Sequence, residues 1–273
     1  MKIKFWGVRG SHPISDRNYL EYGGNTTCLS IEVEDSFFVI DAGTGLIKLD
    51  DIEGKNHDKF NMFFTHMHID HIQGIMFFKP LYSKFKTVNL YGPVLLNRSF
   101  FETIKDLMRG NLFPVGVETM NGLKEVHILK NESKLEFPMK KGKLIVKSKY
   151  LNVHPRGGVL VYRFSYNNKS FVFATDIESK EGGLEGLIEF SKDADLLIHD
   201  AQYSNVEYSH RIGWGHSTES MAIENAKKSN VKLLCLTHYN SDSTDILLNE
   251  KYKILKNEFK NLLMAKEGLE IIL

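Results

Sequence analysis

The sequence predicts an α+β fold in which two β-sheets pack face to face with helices outside them. Three observations carry this. Short strand-like segments arrive in runs, a few helical segments fall between or after the runs, and no Pro/Gly/Ser-rich joint divides the 273 residues. With 42% hydrophobic and 25% charged residues, a chain of this length can bury a large core. Residues 1–273 are read as a single domain.

The strands are expected at residues 3–7, 27–33, 37–40, 60–64, 88–91, 124–128, 144–151, 160–166, 170–174, 196–199 and 232–236, short runs rich in branched or aromatic residues between polar turns. Helices are expected at 95–108, 185–191, 217–228 and 247–259. Residues 108–122, MRGNLFPVGVETMNG, read as an irregular loop or lid. The opening MKIKFWGV alternates as a strand does rather than as a signal peptide, and no stretch approaches the roughly 18 apolar residues of a membrane helix. A cytoplasmic protein without a membrane partner is therefore expected. Cys28 and Cys235 lie in apolar runs as buried thiols, too few for a disulfide framework or a Cys-based zinc site. A formal net charge of +1, from 35 basic and 34 acidic side chains, creates no global field toward nucleic acid or anionic lipid and suits a small substrate.

The strongest local signal is THMHIDHIQG, residues 65–74, which follows the apolar Met62-Phe63-Phe64. His66 and His68, two apart in an extended turn, can aim at one cation, while Asp70 and His71, as a helix begins, can address a neighbouring one. Neutral imidazole and carboxylate suit zinc, manganese or iron.

The pattern H-x-H-x-D-H, here His66 to His71, resembles the signature of the metallo-β-lactamase fold superfamily. That resemblance implies an αββα sandwich of two mixed β-sheets flanked by helices, with metals at the sheet edges. The segment FVIDAGTGL, residues 38–46, is similar to the superfamily's first motif, in which Asp41 orients the metal loop rather than binding metal. Further along, His154 in LNVHPRGGVLVYRF resembles the third motif, Asp176 in FVFATDIE the carboxylate that bridges two metals, and His238 in LLCLTHYN the last ligand. The resemblance implies two divalent ions, zinc first with manganese or iron as alternatives, and no other cofactor. His66, His68 and His154 would take one ion and Asp70, His71 and His238 the other, with Asp176 shared and room for a bridging hydroxide.

The substrate signal lies in HDAQYSNVEYSHRIGWGHSTES, residues 199–220. Gly215-His216-Ser217-Thr218 is expected to begin a helix, with Ser217 or Thr218 as its N-cap, placing His216 near backbone N–H groups that suit a phosphate oxygen. With His199-Asp200-Ala201 before it, this element resembles the phosphodiesterase branch that includes ribonuclease Z and the phosphoribosyl cyclic phosphodiesterases. There the histidine contacts the scissile phosphate or protonates the leaving group, and an acidic residue partners it. The resemblance assigns those roles to His216 and Asp200, and gives Asp70 a second role in orienting the nucleophile. His210 reads as loop surface or a substrate contact, and His12, His57 and His127 have no ligand-like context. The opening GVRGSHP resembles a bacterial subgroup of metallohydrolases, in which Arg9 either meets an anion or holds a structural turn.

Two departures narrow the expectation. Ribonuclease Z carries a long glycine- and basic-rich arm, and no such insertion is visible; the dense basic run Lys140, Lys141, Lys143, Lys147 and Lys149 fits solvated edge lysines. Two cysteines cannot supply the extra Cys-rich zinc site common in phosphoribosyl cyclic phosphodiesterases. The expected protein is a dinuclear metal-dependent phosphodiesterase that hydrolyses a small cyclic or nucleotide phosphodiester. The alternatives are a ribonuclease Z-like RNA-processing endonuclease, or an iron-binding redox or sensor protein on the same scaffold. A homodimer is compatible with either enzyme.

Overall fold

The computed structural model describes residues 1–273 and arranges them in two mixed sheets. One holds β1 (Lys2–Gly7), β2 (Cys28–Val33), β3 (Ser36–Ile40), β4 (Lys59–Phe63), β5 (Thr87–Leu95), β6 (Arg98–Ser99) and β7 (Leu123–Leu129). The other sets β8 (Glu132–Met139), β9 (Gly142–Leu151), β10 (Val159–Tyr166), β11 (Lys169–Ala174), β12 (Leu196–Asp200), β13 (Leu234–Thr237) and β14 (Leu262–Met264) side by side in chain order. The last strand, β15 (Glu270–Ile272), returns to pair antiparallel with β1. The helices are α1 (Gly45–Glu53), α2 (Ile69–Ile72), α3 (Phe100–Leu107), α4 (Glu185–Ser191), α5 (Asn205–Tyr208), α6 (Glu219–Lys228) and α7 (Asp245–Glu258).

Alternation along the strands creates the layers. In β3, Phe38 and Ile40 face the core between the sheets, while Phe37 and Val39 face outward with Phe60 and Met62 of β4. That outer face is covered by Leu46 and Leu49 of α1 and by Phe100 and Ile104 of α3. On the second sheet, Leu187 of α4 and Ala222, Ile223 and Ala226 of α6 join the main core. Phe63 stands at its centre, its ring 4.6 Å from Tyr91, 5.5 Å from Tyr162 and 5.6 Å from Phe164. Truncating it to alanine would cost about 3–5 kcal/mol and loosen the strand that carries the histidine-rich loop.

Strand direction decides where the loops emerge. β3 and β4 are parallel, so Asp41 and the segment from Thr65 to His71 leave the first sheet at one edge. In the second sheet β9 and β11 are both antiparallel to β10 and therefore run the same way, and β12 and β13 continue parallel to β11. His154, Asp176, Asp200 and His238 thus all sit at one end of that sheet, the carboxyl ends where α/β sheets build sites.

The α+β sandwich is the fold the sequence predicts, but several elements differ. Residues 95–108 are not one helix. β5 continues to Leu95, Leu96 and Asn97 turn the chain with φ of 51° and 61°, and α3 starts only after Ser99. The Ser99 hydroxyl accepts the Glu102 amide and the Glu102 carboxylate accepts the Ser99 amide, a capping box that fixes the start. β8, α1, β14 and β15 were not expected; β8 is half exposed, and its alternation is carried by only a few apolar residues. Residues 108–122 are anchored by buried Met108 and Met120, with Phe113 edge-on to Phe77 at 5.6 Å. No helix is long and apolar enough to cross a membrane.

Candidate metal centre

At the shared edge of the two sheets, all seven residues singled out as ligands converge. Three of the site residues at strand ends, Asp41, Asp176 and His238, hold left-handed backbone at φ of 59°, 56° and 63°. For non-glycine residues that conformation costs on the order of 1–3 kcal/mol each, and such strain concentrates where side chains must be aimed. His216 places a ring nitrogen within 4.8 Å of donor atoms on Asp176 and His238, and the predicted ligands themselves form two groups. His66, His68, His154 and Asp176 place donor atoms within 4.8 Å of one another, as do Asp70, His71 and His238.

Asp176 divides its carboxylate between them. Its Oδ1 lies 3.7 Å from His66 Nε2 and 3.6 Å from His154 Nε2. Its Oδ2 lies 3.1 Å from His71 Nε2 and 3.3 Å from His238 Nε2. Asp70 Oδ2 is 3.4 Å from both of the latter rings.

The far side of each ring fixes its tautomer. His154 Nδ1 donates to the Gly215 carbonyl at 2.9 Å, leaving Nε2 as a lone pair 2.9 Å from His68 Nδ1. His71 Nδ1 donates to Asp41 at 2.8 Å, and Asp41 also accepts the Thr65 amide and hydroxyl, each at 2.8 Å. His238 Nδ1 donates to Gln202 Oε1 at 3.1 Å, and its Nε2 comes within 3.2 Å of His71 Nε2. His66 Nε2 is buried without any hydrogen-bond partner. Buried nitrogens turned toward one another, with a carboxylate between them, fit divalent cations and suit few other occupants.

The electrostatics differ between the groups. Burial holds the His66 imidazole well below its ordinary value and brings His68 down to about 4, and it lowers His154 as well. For His71 and His238 burial pulls the same way, but the carboxylates prevail. Asp176, Asp70 and Asp41 hold His71 well above its ordinary value, and Asp176 with Asp70 brings His238 up to about 9. Asp70 and Asp176 lie well below the usual carboxylate range against the pull of burial, because charged imidazoles face them.

His216 and Asp200 stand beside this cluster. Asp200 Oδ2 accepts His216 Nδ1 at 2.8 Å, while Oδ1 accepts the Gln202 amide at 2.9 Å. The His216 ring lies 5.1 Å from His154 and 5.2 Å from His238. Thr218, one of the two caps expected, is the N-cap of α6, and its hydroxyl accepts the Met221 amide, so His216 sits two residues before the cap.

Several neighbours were not anticipated. A Cβ on Gly10 would fall 2.5 Å from His238 Cε1, so only glycine fits there, and the next amide, Ser11, donates to Asp70 Oδ2 at 2.8 Å. The GVRGS stretch thus abuts the site through Gly10 and Ser11. Arg9 is buried and structural, donating to the carbonyls of Gly23 and Ser243. Gln202 and Glu178 lie within motifs already singled out, but nothing in their identity marked them. Glu178 accepts from Gly213 N at 2.6 Å, Gly215 N at 2.8 Å and Tyr208 Oη at 2.9 Å, tying the loop before His216 to the end of β11. His57 stacks on Phe37 and His127 on Tyr91, while His12 and His210 are exposed; none joins the cluster.

The family described as a beta-lactamase superfamily domain matches residues 38–239, from β3 to the residue after His238. The chain belongs to that superfamily. Ribonuclease Z of Archaeoglobus fulgidus is 25% identical over 316 residues, covering 99% of this chain and 97% of its own. Among solved structures, the metallo-beta-lactamase fold protein YhfI of Bacillus subtilis superimposes with a TM-score of 0.71 at 21% identity, covering 99% of this chain and 98% of YhfI. A diphosphatase of the PhnP family gives a TM-score of 0.71 at 17% identity, covering 99% and 96%. As a superfamily member with this His/Asp cluster, the chain is a metal-dependent hydrolase, and its relatives place it in the phosphodiesterase branch.

Proposed function

We propose that this protein is a dinuclear metal-dependent phosphodiesterase acting on a small cyclic or nucleotide phosphodiester. The observation that carries the reading is the division of Asp176, one oxygen toward His66 and His154 and the other toward His71 and His238, beside the hydrogen-bonded pair His216 and Asp200. Two divalent ions held there, zinc first, would acidify a water and neutralise charge at phosphorus. The chain's own groups supply the rest. Asp70, aligned by the Ser11 amide, accepts from and orients the attacking water. His216, its Nδ1 fixed on Asp200, turns Nε2 to the leaving oxygen and gives it a proton.

A small substrate is favoured over RNA by two observations. The alignment with the archaeal ribonuclease Z runs over 316 positions, and this chain has 273 residues, so at least 43 positions of the relative have no counterpart here. Three of the five lysines of the basic run are also paired with carboxylates. Lys140 pairs with Asp35, Lys143 with Glu136 at 2.8 Å and Lys149 with Glu189 at 3.9 Å. The ribonuclease reading is supported by the naming of the curated relatives, ribonuclease Z of Archaeoglobus fulgidus among them.

The test is hydrolysis of bis-p-nitrophenyl phosphate, a panel of cyclic nucleotides and a precursor transfer RNA, with metal content measured in parallel. Two metals per chain and turnover of the small esters are expected. His216→Ala should keep both metals and lose roughly 10²- to 10⁴-fold in kcat. A variant as fast as the parent removes the acid role, and cleavage confined to RNA overturns the small-substrate reading.

A further inference from the structure

Trp214, two residues before His216, is 59% exposed although its backbone is tied on both sides. The flanking amides of Gly213 and Gly215 are both held by the Glu178 carboxylate, and the Trp214 amide donates to the Arg211 carbonyl at 3.1 Å. Gly215 has no freedom to shift. It holds φ of 89°, its carbonyl accepts from His154, and a Cβ there would lie 2.2 Å from His154 Nδ1. The indole is therefore presented to solvent by a loop rigidly tied to the site.

A continuous row of groups leads from His216 to that indole. The Tyr203 ring is edge-on to His216 at 5.7 Å, the Arg211 guanidinium lies 5.1 Å from the Tyr203 ring, and it is 5.9 Å from the Trp214 ring. Arg211 donates to the Glu207 carbonyl at 3.1 Å and forms no ion pair with any carboxylate. A cation without a counter-ion, held between two aromatic faces beside a histidine assigned to a phosphate, matches an anionic ligand that carries a flat ring.

We propose that Trp214 and Arg211 form the base subsite of the enzyme, with the indole stacking the nucleobase of a nucleotide phosphodiester and Arg211 facing its phosphate side. This rests on the phosphodiesterase reading above and narrows it from any small phosphodiester to nucleotides. Stacking uses the π-face that all bases share, so the subsite selects nucleotides over base-free esters without strong choice among bases.

The experiment compares the metal-loaded parent with Trp214→Ala and Trp214→Phe on two esters, thymidine 5′-(p-nitrophenyl phosphate) and base-free methyl p-nitrophenyl phosphate. The parent's preference for the thymidine ester, as a ratio of kcat/KM values, should fall about tenfold in Trp214→Ala, chiefly through KM, and be largely restored in Trp214→Phe. An unchanged ratio overturns the proposal, as does a change in self-association by sedimentation with the ratio intact. A binding arm needs no turnover. Adenosine monophosphate should bind the parent about tenfold more tightly than ribose 5-phosphate and quench Trp214, the other tryptophan, Trp6, being buried. If the parent shows that preference but hydrolyses neither ester, the subsite stands and the phosphodiesterase reading falls. If it hydrolyses both esters but binds the two phosphates equally, the subsite alone falls.

Discussion

The two halves of the cluster share Asp176 but are built on different principles. His66, His68 and His154 form a neutral half. Their rings are kept uncharged by burial, and their outer partners are a threonine hydroxyl and a backbone carbonyl. Asp70, His71 and His238 form a charged half, in which the imidazoles face carboxylates and are backed by Asp41 and Gln202. The neutral half is ready to accept a cation as it stands, whereas the charged half must exchange protons for one. Similar donors a few ångströms apart thus differ in charge, because the facing carboxylates, Asp176 and Asp70 first, outweigh burial at His71 and His238 and do not at His66, His68 and His154.

The largest expected effect comes from removing what the halves share. Asp176→Ala should leave fewer than two metals per chain by elemental analysis and lower kcat/KM by roughly three orders of magnitude, since both the charge neutralisation and the bridging position are lost. Full occupancy of two metals in this variant would separate the halves and end the bridging assignment. Because Asp176 is buried among histidines, circular dichroism of the variant must show retained strand content for metal loss to count as the loss of a ligand rather than of the fold.

The contrast between the halves also marks what could be read along the chain. Histidine and aspartate spacing in THMHIDHIQG, with carboxylates and histidines at apolar strand ends, is legible because strands force the next residues to one edge. The site gathered Asp41, His154, Asp176 and His238 as that rule requires. The groups that hold the ligands and the His216 loop in place were not legible, because Gln202, Gly10, Ser11 and Glu178 act through one carbonyl oxygen, one missing Cβ, one amide and one carboxylate. Each of these types is common at turns, and only the fold aims them. The fold itself was read where period-2 runs were strongly apolar, and missed where β8 and β15 carry polar or very few residues.

An intermediate effect tests the backing of one half alone. Gln202→Ala removes the acceptor for His238 Nδ1, freeing that ring to turn or change tautomer, while no ring of the neutral half bonds to Gln202. Metal titration should resolve two sites, the weaker binding roughly ten- to hundredfold more weakly than in the parent and the tighter unchanged. Equal weakening of both would mean that Gln202 supports the whole edge, through its donation to Ser11 Oγ and Tyr203 Oη, rather than His238 in particular.

The smallest effect is the most direct measure of the difference in charge. In the metal-free protein His238 holds its proton up to about pH 9, and the facing carboxylates raise His71 as well, so a cation entering that half displaces protons at neutral pH. Affinity there should fall as the pH drops below about 9, by about tenfold per unit for each proton released. In the neutral half the shift has the opposite sign. His68 stays unprotonated down to about pH 4 and His66 is likewise lowered, so protons do not compete between pH 9 and pH 6 and the affinity is flat. Calorimetry in buffers of different ionisation heat should therefore give two binding steps, one releasing protons and one releasing almost none. Equal proton release in both steps would show that coordination, not the surrounding carboxylates, sets the charge of these rings, and would erase the distinction between the halves.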